Sequence, residues 1–306
     1  MFGECAMNLT QINRLWDEYK RKYDIELKTE ISSVSYDTEE YVEGCFNLLE
    51  LMDEQYILHL NPRMHVYSEN YCKFILFHEF THFYDYIKRP YEDKESLILW
   101  MNAYSEYHAC RVTLARFIEM CTLNTVHLDK IQIPGPYKEI SIRHLLMESV
   151  FRCKYCFDAF FVDYQLQDYA NGLRQLMYLL GYLSLFDNDV LMVEQTLKFL
   201  NIYNENFCKL YHALKEMEFD DVIHYYKAIT EEATLLYLKH AFRRYYSPEL
   251  LSDDEIEEIT LDNYRDYIER LDRKMREMGL VPEEENLEEE STEEIAAFIA
   301  HLCTGR

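Results

Sequence analysis

Apolar residues recur at helical spacing over most of the chain, and only two short stretches depart from that period. Leu9, Ile12, Leu15, Trp16, Tyr19 and Tyr23 share one face of an amphipathic helix predicted over residues 8–28. Residues 30–36 and 55–61 read as strands instead. In the second of these, Tyr56, Leu58 and Leu60 fall on one face and Ile57 and His59 on the other. Asn61-Pro62 ends that strand, because proline has no N–H for the ladder. Ser68 is the predicted N-cap of a helix running to Arg89, where Pro90 stops it. This helix is apolar nearly all round (Phe74, Ile75, Leu76, Phe77, Phe80, Phe83, Tyr84, Ile87), so it is expected inside its domain.

A second long helix is predicted over residues 92–121, and further helical stretches at about 138–166, 168–186, 188–213, 218–246 and 260–278. Nothing repeats at a fixed period. The pattern predicts a mostly α protein: a small α+β core, then a large all-α C-terminal region. The Pro134-Gly135-Pro136 loop is the natural boundary, giving a core over 1–130, a helical domain over 137–280 and a tail over 281–306. In the tail, Pro282 to Glu290 reads as a solvated acidic linker that folding can dispense with. Ser291 with Glu294 then forms a capping box ahead of a short helix bearing Ile295, Phe298, Ile299 and Leu302.

Composition narrows the functional classes. The 306 residues carry 31 Lys+Arg against 56 Asp+Glu, a formal net charge of −25. Residues 251–306 alone hold 18 acidic and 6 basic residues, which is −12 of that total. Such a surface repels phosphates, so neither nucleic acid nor an anionic membrane is an expected partner. Seven glycines and six prolines are too few for a sandwich, a barrel or a Gly-rich phosphate loop. Nine scattered cysteines make no disulfide framework, and the first ten residues show no signal-peptide pattern. No apolar run is long enough to span a bilayer. A cytoplasmic protein is expected.

One segment carries chemistry. His78-Glu79-Phe80-Thr81-His82 is an H-E-x-x-H motif inside the helix predicted from hydrophobic periodicity. Two histidines at i and i+4 lie one turn apart on one face, so both imidazoles can reach the same metal ion. Glu79 is rotated about 100° from His78 and reaches a water beside the metal rather than the metal itself. Zinc lowers the pKa of such a water to about 7, and Glu79 can take its proton and return it to a leaving amine. With 11 histidines in the chain, the motif is expected by chance only about 0.05 times.

A catalytic zinc takes three protein ligands and keeps one position open. Glu106, 24 residues after His82, shares its helix face with Ala103, Ala109 and Cys110, all small enough to let another helix approach. His108 is the rival, on a bulkier face with Tyr104, Arg111 and Val112, while Glu92 and Glu95 come too early in the helix. Asp85, three residues after His82, suits a hydrogen-bonding partner of a ligand. Cys153-Lys154-Tyr155-Cys156 lacks the second pair a structural zinc needs and reads as core cysteine. His59, on the strand, lies near the motif or simply in a strand face. The group that stabilises an oxyanion stays open among 27 tyrosines and His144, His212, His224 and His240.

The strand ending in Ile57-Leu58-His59-Leu60-Asn61-Pro62, the His78-Glu79-x-x-His82 helix and Glu106-x-x-Ala109 on the next helix together resemble the ImmA/IrrE family of zinc metallopeptidases, over about residues 54–117. The resemblance implies a minimal zincin core with Glu106 as the third zinc ligand, and a cytoplasmic peptidase whose substrate is a protein partner, in that family often a repressor. The expected function is thus hydrolysis of peptide bonds in a protein or peptide, with Zn²⁺ on His78, His82 and Glu106 and Glu79 as general base. The alternative is a non-catalytic interaction protein that keeps a zincin core; the retained Glu79 favours the enzyme.

Overall fold

A computed structural model of the chain describes residues 7–23, 25–26, 30–35, 48–52, 55–60, 64, 66–88, 94–119 and 122–279. The predicted acidic linker and terminal helix lie outside these residues. The protein is mostly helical with a small sheet, as the hydrophobic pattern predicts. No helix among the described residues is long and apolar enough to cross a membrane.

Helix α1 (Leu9–Lys22) opens with a capping box in which the Asn8 side chain accepts from the Gln11 N–H and the Gln11 side chain accepts from the Asn8 N–H. It stops well short of residue 28. Ile25 is buried and its N–H turns back to the Lys20 carbonyl, while Lys20, Arg21 and Lys22 sit on the negative end of the helix dipole. Asn13 then clamps the sheet to this helix: its side chain accepts from the Ile31 N–H at 3.0 Å and donates to the Ile31 carbonyl at 2.9 Å.

The sheet has the order β1-β3-β2, built from β1 (Ile31–Ser35), β2 (Leu48–Met52) and β3 (Gln55–His59). β3 is central, parallel to β1 and antiparallel to β2. Leu58 and Leu60 enter the core and Ile57 and His59 are half-buried, matching the expected alternation. β2 was not expected, because Leu48-Leu49-Glu50-Leu51-Met52 contains no β-branched residue and has good helix formers. Pairing with β3 along its whole length overrides that local preference.

Helix α2 (Glu69–Lys88) carries the H-E-x-x-H motif. Ser68 caps it, accepting from the Tyr71 N–H at 3.2 Å. Cys72, Leu76, Phe77, Phe80 and Phe83 face the core shared with Ile12, Leu15, Trp16 and Tyr19 of α1. Trp16 packs on Phe80 and Phe83 with ring centroids 5.1 and 5.5 Å away. Thr81 donates to the Phe77 carbonyl and accepts from Tyr19 Oη at 2.9 Å. Burial pushes the Tyr19 phenol far above its ordinary pKa, so it stays a donor. Phe80 and Thr81, two of the three residues between the histidines, thus anchor the helix.

The helix expected over 92–121 is interrupted. α3 (Lys94–Trp100) gives way to a π-helical turn, Met101–Ser105, before α4 (Glu106–Ile118) begins. The Pro134-Gly135-Pro136 loop joins two short strands, β4 (Gln132–Ile133) and β5 (Ile140–Ser141). It docks on the start of α2: the Ser68 N–H donates to the Pro136 carbonyl at 3.0 Å and Ser68 Oγ to the Gly135 carbonyl at 3.3 Å. Beyond it come α5 (Ile142–Asp163), α6 (Leu166–Leu183), α7 (Asp189–Phe199), α8 (Glu205–Glu216), α9 (Phe219–Tyr245), α10 (Asp253–Glu257) and α11 (Tyr264–Glu277). The single helix expected over 188–213 is two, parted where Asn201 adopts a left-handed backbone and Asn204 caps α8.

Contacts divide the chain into two compact units. The first holds residues 1–91, 105–149 and 177–193; the second holds 92–104, 150–176 and 194–306. The Pro134-Gly135-Pro136 loop therefore lies within the first unit. In the second, α8 and α3 pack on α9. Trp100 stacks on Tyr104 at 4.0 Å and meets Phe219, and Phe242, Leu250, Leu251, Ile256, Ile259 and Leu271 close a cluster. Trp16→Ala should cost about 3–5 kcal/mol of stability and Tyr19→Phe about 1 kcal/mol, read by chemical denaturation. Unchanged stability in Trp16→Ala would contradict the seating of α1 on α2.

Candidate metal centre

Helices α2 and α4 pack against each other within the first unit. On α4, Ala109 and Cys110 are both buried, and Cys110 Sγ lies 3.8 Å from His78 Nδ1 on α2. At the contact, His78 Nε2 and His82 Nε2 lie 3.0 Å apart. Glu106 Oε2 is 3.3 Å from the first and 3.1 Å from the second. These three atoms form a nearly equilateral triangle, and His78, His82 and Glu106 make up the one group of metal-ligating side chains found among the described residues. Glu106 is 7 % exposed, whereas the imidazoles are half-buried.

The donor set fits a metal ion. Tetrahedral bonds of about 2.0–2.1 Å require donor atoms about 3.3 Å apart, close to the spacing here. Three electron-pair donors that crowded also repel one another unless a proton on an imidazole Nε2 or a cation lies among them. The three ligands expected from the sequence are therefore brought together, although the donor set does not by itself choose the metal.

Each imidazole is held from behind. His82 Nδ1 lies 2.8 Å from Ser105 Oγ, which donates to Asp85 Oδ2 at 2.8 Å. Asp85 thus reaches its histidine through Ser105 rather than by direct contact. His108, the rival ligand, turns away from the triangle and places Nδ1 2.8 Å from Asp85 Oδ1. His78 Nδ1 lies 3.8 Å from Cys110 Sγ. The Tyr182 phenol, pushed well above its ordinary pKa chiefly by burial, hydrogen-bonds the same sulfur. Tyr178 Oη donates to Glu106 Oε1 at 3.4 Å, and its ring stands edge-on to His78 at 5.7 Å. Glu106 thus turns one oxygen to the histidines and the other to a phenol.

Tyr178 and Tyr182 are brought here by α6, whose approach to α4 depends on Gly181. A Cβ at that position would lie 2.3 Å from the Tyr107 carbonyl oxygen and 2.9 Å from Cys110 Cβ. Neither tyrosine stands out in the sequence. The available signal is the isolated glycine in a leucine-rich helical stretch, which marks a close backbone approach. Leu176, Leu179, Leu180 and Leu183 around it are core.

The remaining candidates sit elsewhere. Glu79 is half-buried on α2 and is not one of the three clustered ligands. His59 ends β3 and stays outside the cluster too. His144, His212 and His224 are exposed on α5, α8 and α9, and His240 stacks on Tyr164. Cys153 is fully buried in α5 and burial raises both its thiol and that of Cys156, which disfavours the thiolates a zinc would need. Compared with known proteins, the chain matches no family model, no curated protein and no solved structure.

Because Gly181 sets how closely α6 meets α4, Gly181→Ala should lower stability by about 1–3 kcal/mol and weaken metal binding. Thermal melting with and without added Zn²⁺ checks this; an unaltered melting temperature would show that the close approach is not needed.

Proposed function

We propose that this chain is a zinc-dependent metallopeptidase of the ImmA/IrrE kind, cutting peptide bonds in a protein substrate. The carrying observation is the triangle of His78 Nε2, His82 Nε2 and Glu106 Oε2, with sides of 3.0 to 3.3 Å. Two imidazoles and one carboxylate are the protein ligands of a catalytic rather than a structural zinc, which would use four. When bound, zinc supplies Lewis acidity and lowers the pKa of water to about 7.

The residues of the chain divide the remaining work. Glu79, one position along α2 from His78, takes the proton of the attacking water and later gives it to the leaving nitrogen. Ala109 and Cys110 let α4 come close enough for Glu106 to complete the ligand set. Among the described residues β2 lies at an edge of the sheet, on which an extended peptide can add main-chain hydrogen bonds, whereas Asn13 covers the Ile31 end of β1. The net charge of −25 argues against nucleic acid as substrate.

The purified protein should hold about one zinc per chain, and His82→Ala should lose it on dialysis against a mild chelator. Glu79→Gln should keep the metal and the fold while hydrolysis of an unfolded protein falls by about 10²-fold or more. Undiminished hydrolysis in Glu79→Gln would overturn the mechanism. Stoichiometric zinc in the absence of any peptidase activity would turn the reading toward a binding protein that keeps the metal site.

A further inference from the structure

We propose that Ser105, Asp85 and His108 form a buried positioning relay that fixes the tautomer of His82, so that its Nε2 lone pair faces the metal position. The proposal rests on the reading of His78, His82 and Glu106 as ligands, and it assigns a function to three residues outside that set.

The direction of each hydrogen bond follows from the count of hydrogens. Ser105 Oγ carries a single hydrogen, and that hydrogen goes to Asp85 Oδ2 at 2.8 Å. Ser105 Oγ can then only accept across its 2.8 Å contact with His82 Nδ1, so the proton of His82 is on Nδ1. In the neutral imidazole, Nε2 then presents a lone pair toward His78 and Glu106. At the far end, Asp85 Oδ1 accepts from His108 Nδ1 at 2.8 Å. Every bond in the chain points toward the Asp85 carboxylate.

Burial makes this polarity consequential. Ser105 is 0 % exposed and Asp85 7 % exposed, so water cannot readily substitute for either hydrogen bond. In such surroundings successive hydrogen bonds polarise one another, and a carboxylate behind an imidazole raises its strength as a ligand. Ser105 closes the π-helical turn Met101–Ser105 and directly precedes Glu106. Neighbouring residues of a regular helix diverge by about 100°, yet Ser105 and Glu106 both address α2. The placement of α4 thus sets one ligand and the orienting group of another together.

The decisive variant is Asp85→Asn, which preserves shape and reverses polarity. Its amide oxygen accepts from His108 and its NH₂ donates to Ser105 Oγ, which forces the serine hydroxyl to donate to His82 Nδ1. The His82 proton then moves to Nε2, where it blocks the ligand position. Nitrogen-15 NMR of the histidines in metal-free protein should show His82 protonated on Nδ1 in wild type and on Nε2 in Asp85→Asn. Zn²⁺ affinity, measured by competition with a chromophoric chelator, should fall about 10–100-fold in that variant. Ser105→Ala should leave His82 as a mixture of tautomers, and it decides the matter if Asp85→Asn does not fold. Ser105→Thr, which keeps the hydroxyl, should restore the wild-type tautomer. Finding Nε2 protonated in the wild type, or the same tautomer and affinity in all variants, would overturn the relay. If the wild type bound no Zn²⁺, the ligand reading would fail, and the tautomer alone would still decide the relay.

Discussion

The crowding of three electron-pair donors between α2 and α4 is the constraint on which the rest of the first unit depends. Two imidazole nitrogens and a carboxylate oxygen at 3.0 to 3.3 Å from one another are held together only by a proton shared among them or by a metal ion. Holding them there takes rigid support on every side. Phe80 and Thr81 lock the back of α2 to α1, and the Ala109 and Cys110 positions admit α4. Gly181 admits α6 in turn, with the phenols of Tyr178 and Tyr182. The core is packed so that a polar cluster can exist at one helix contact.

Much of this was legible in the sequence, because it depends on period and local chemistry. The spacing of His78 and His82 on a helix fixes their shared face, and Ser68 and Pro90 mark where that helix begins and must end. Glu106 could be chosen over His108 because its neighbours at helical spacing are small, and small residues mark where helices approach. The structure puts Glu106 in the triangle and turns His108 to Asp85.

What was not legible depends on contacts between distant segments. Tyr178 is 72 residues from Glu106, and no periodicity links the two. β2 is a strand because β3 lies beside it, against its own preference for helix. The π-helical turn before Glu106 occurs in residues that read as continuous helix, and Ser105 at its end joins Asp85 to His82. The position of Asp85 suggested a direct bond to a ligand histidine; the intervening serine comes from another helix, which spacing along α2 could not reveal.

His78, His82 and Glu106 lie close enough to hold one metal ion, which we propose is zinc. X-ray absorption at the zinc edge of the zinc-loaded protein tests it most directly, since the number and type of ligands are read without reference to any substrate. The account predicts a first shell of nitrogen and oxygen alone at about 2.0–2.2 Å, with the outer-shell scattering of two imidazoles, abolished in His82→Ala. Sulfur scattering at about 2.3 Å, or the same spectrum in His82→Ala, would contradict it.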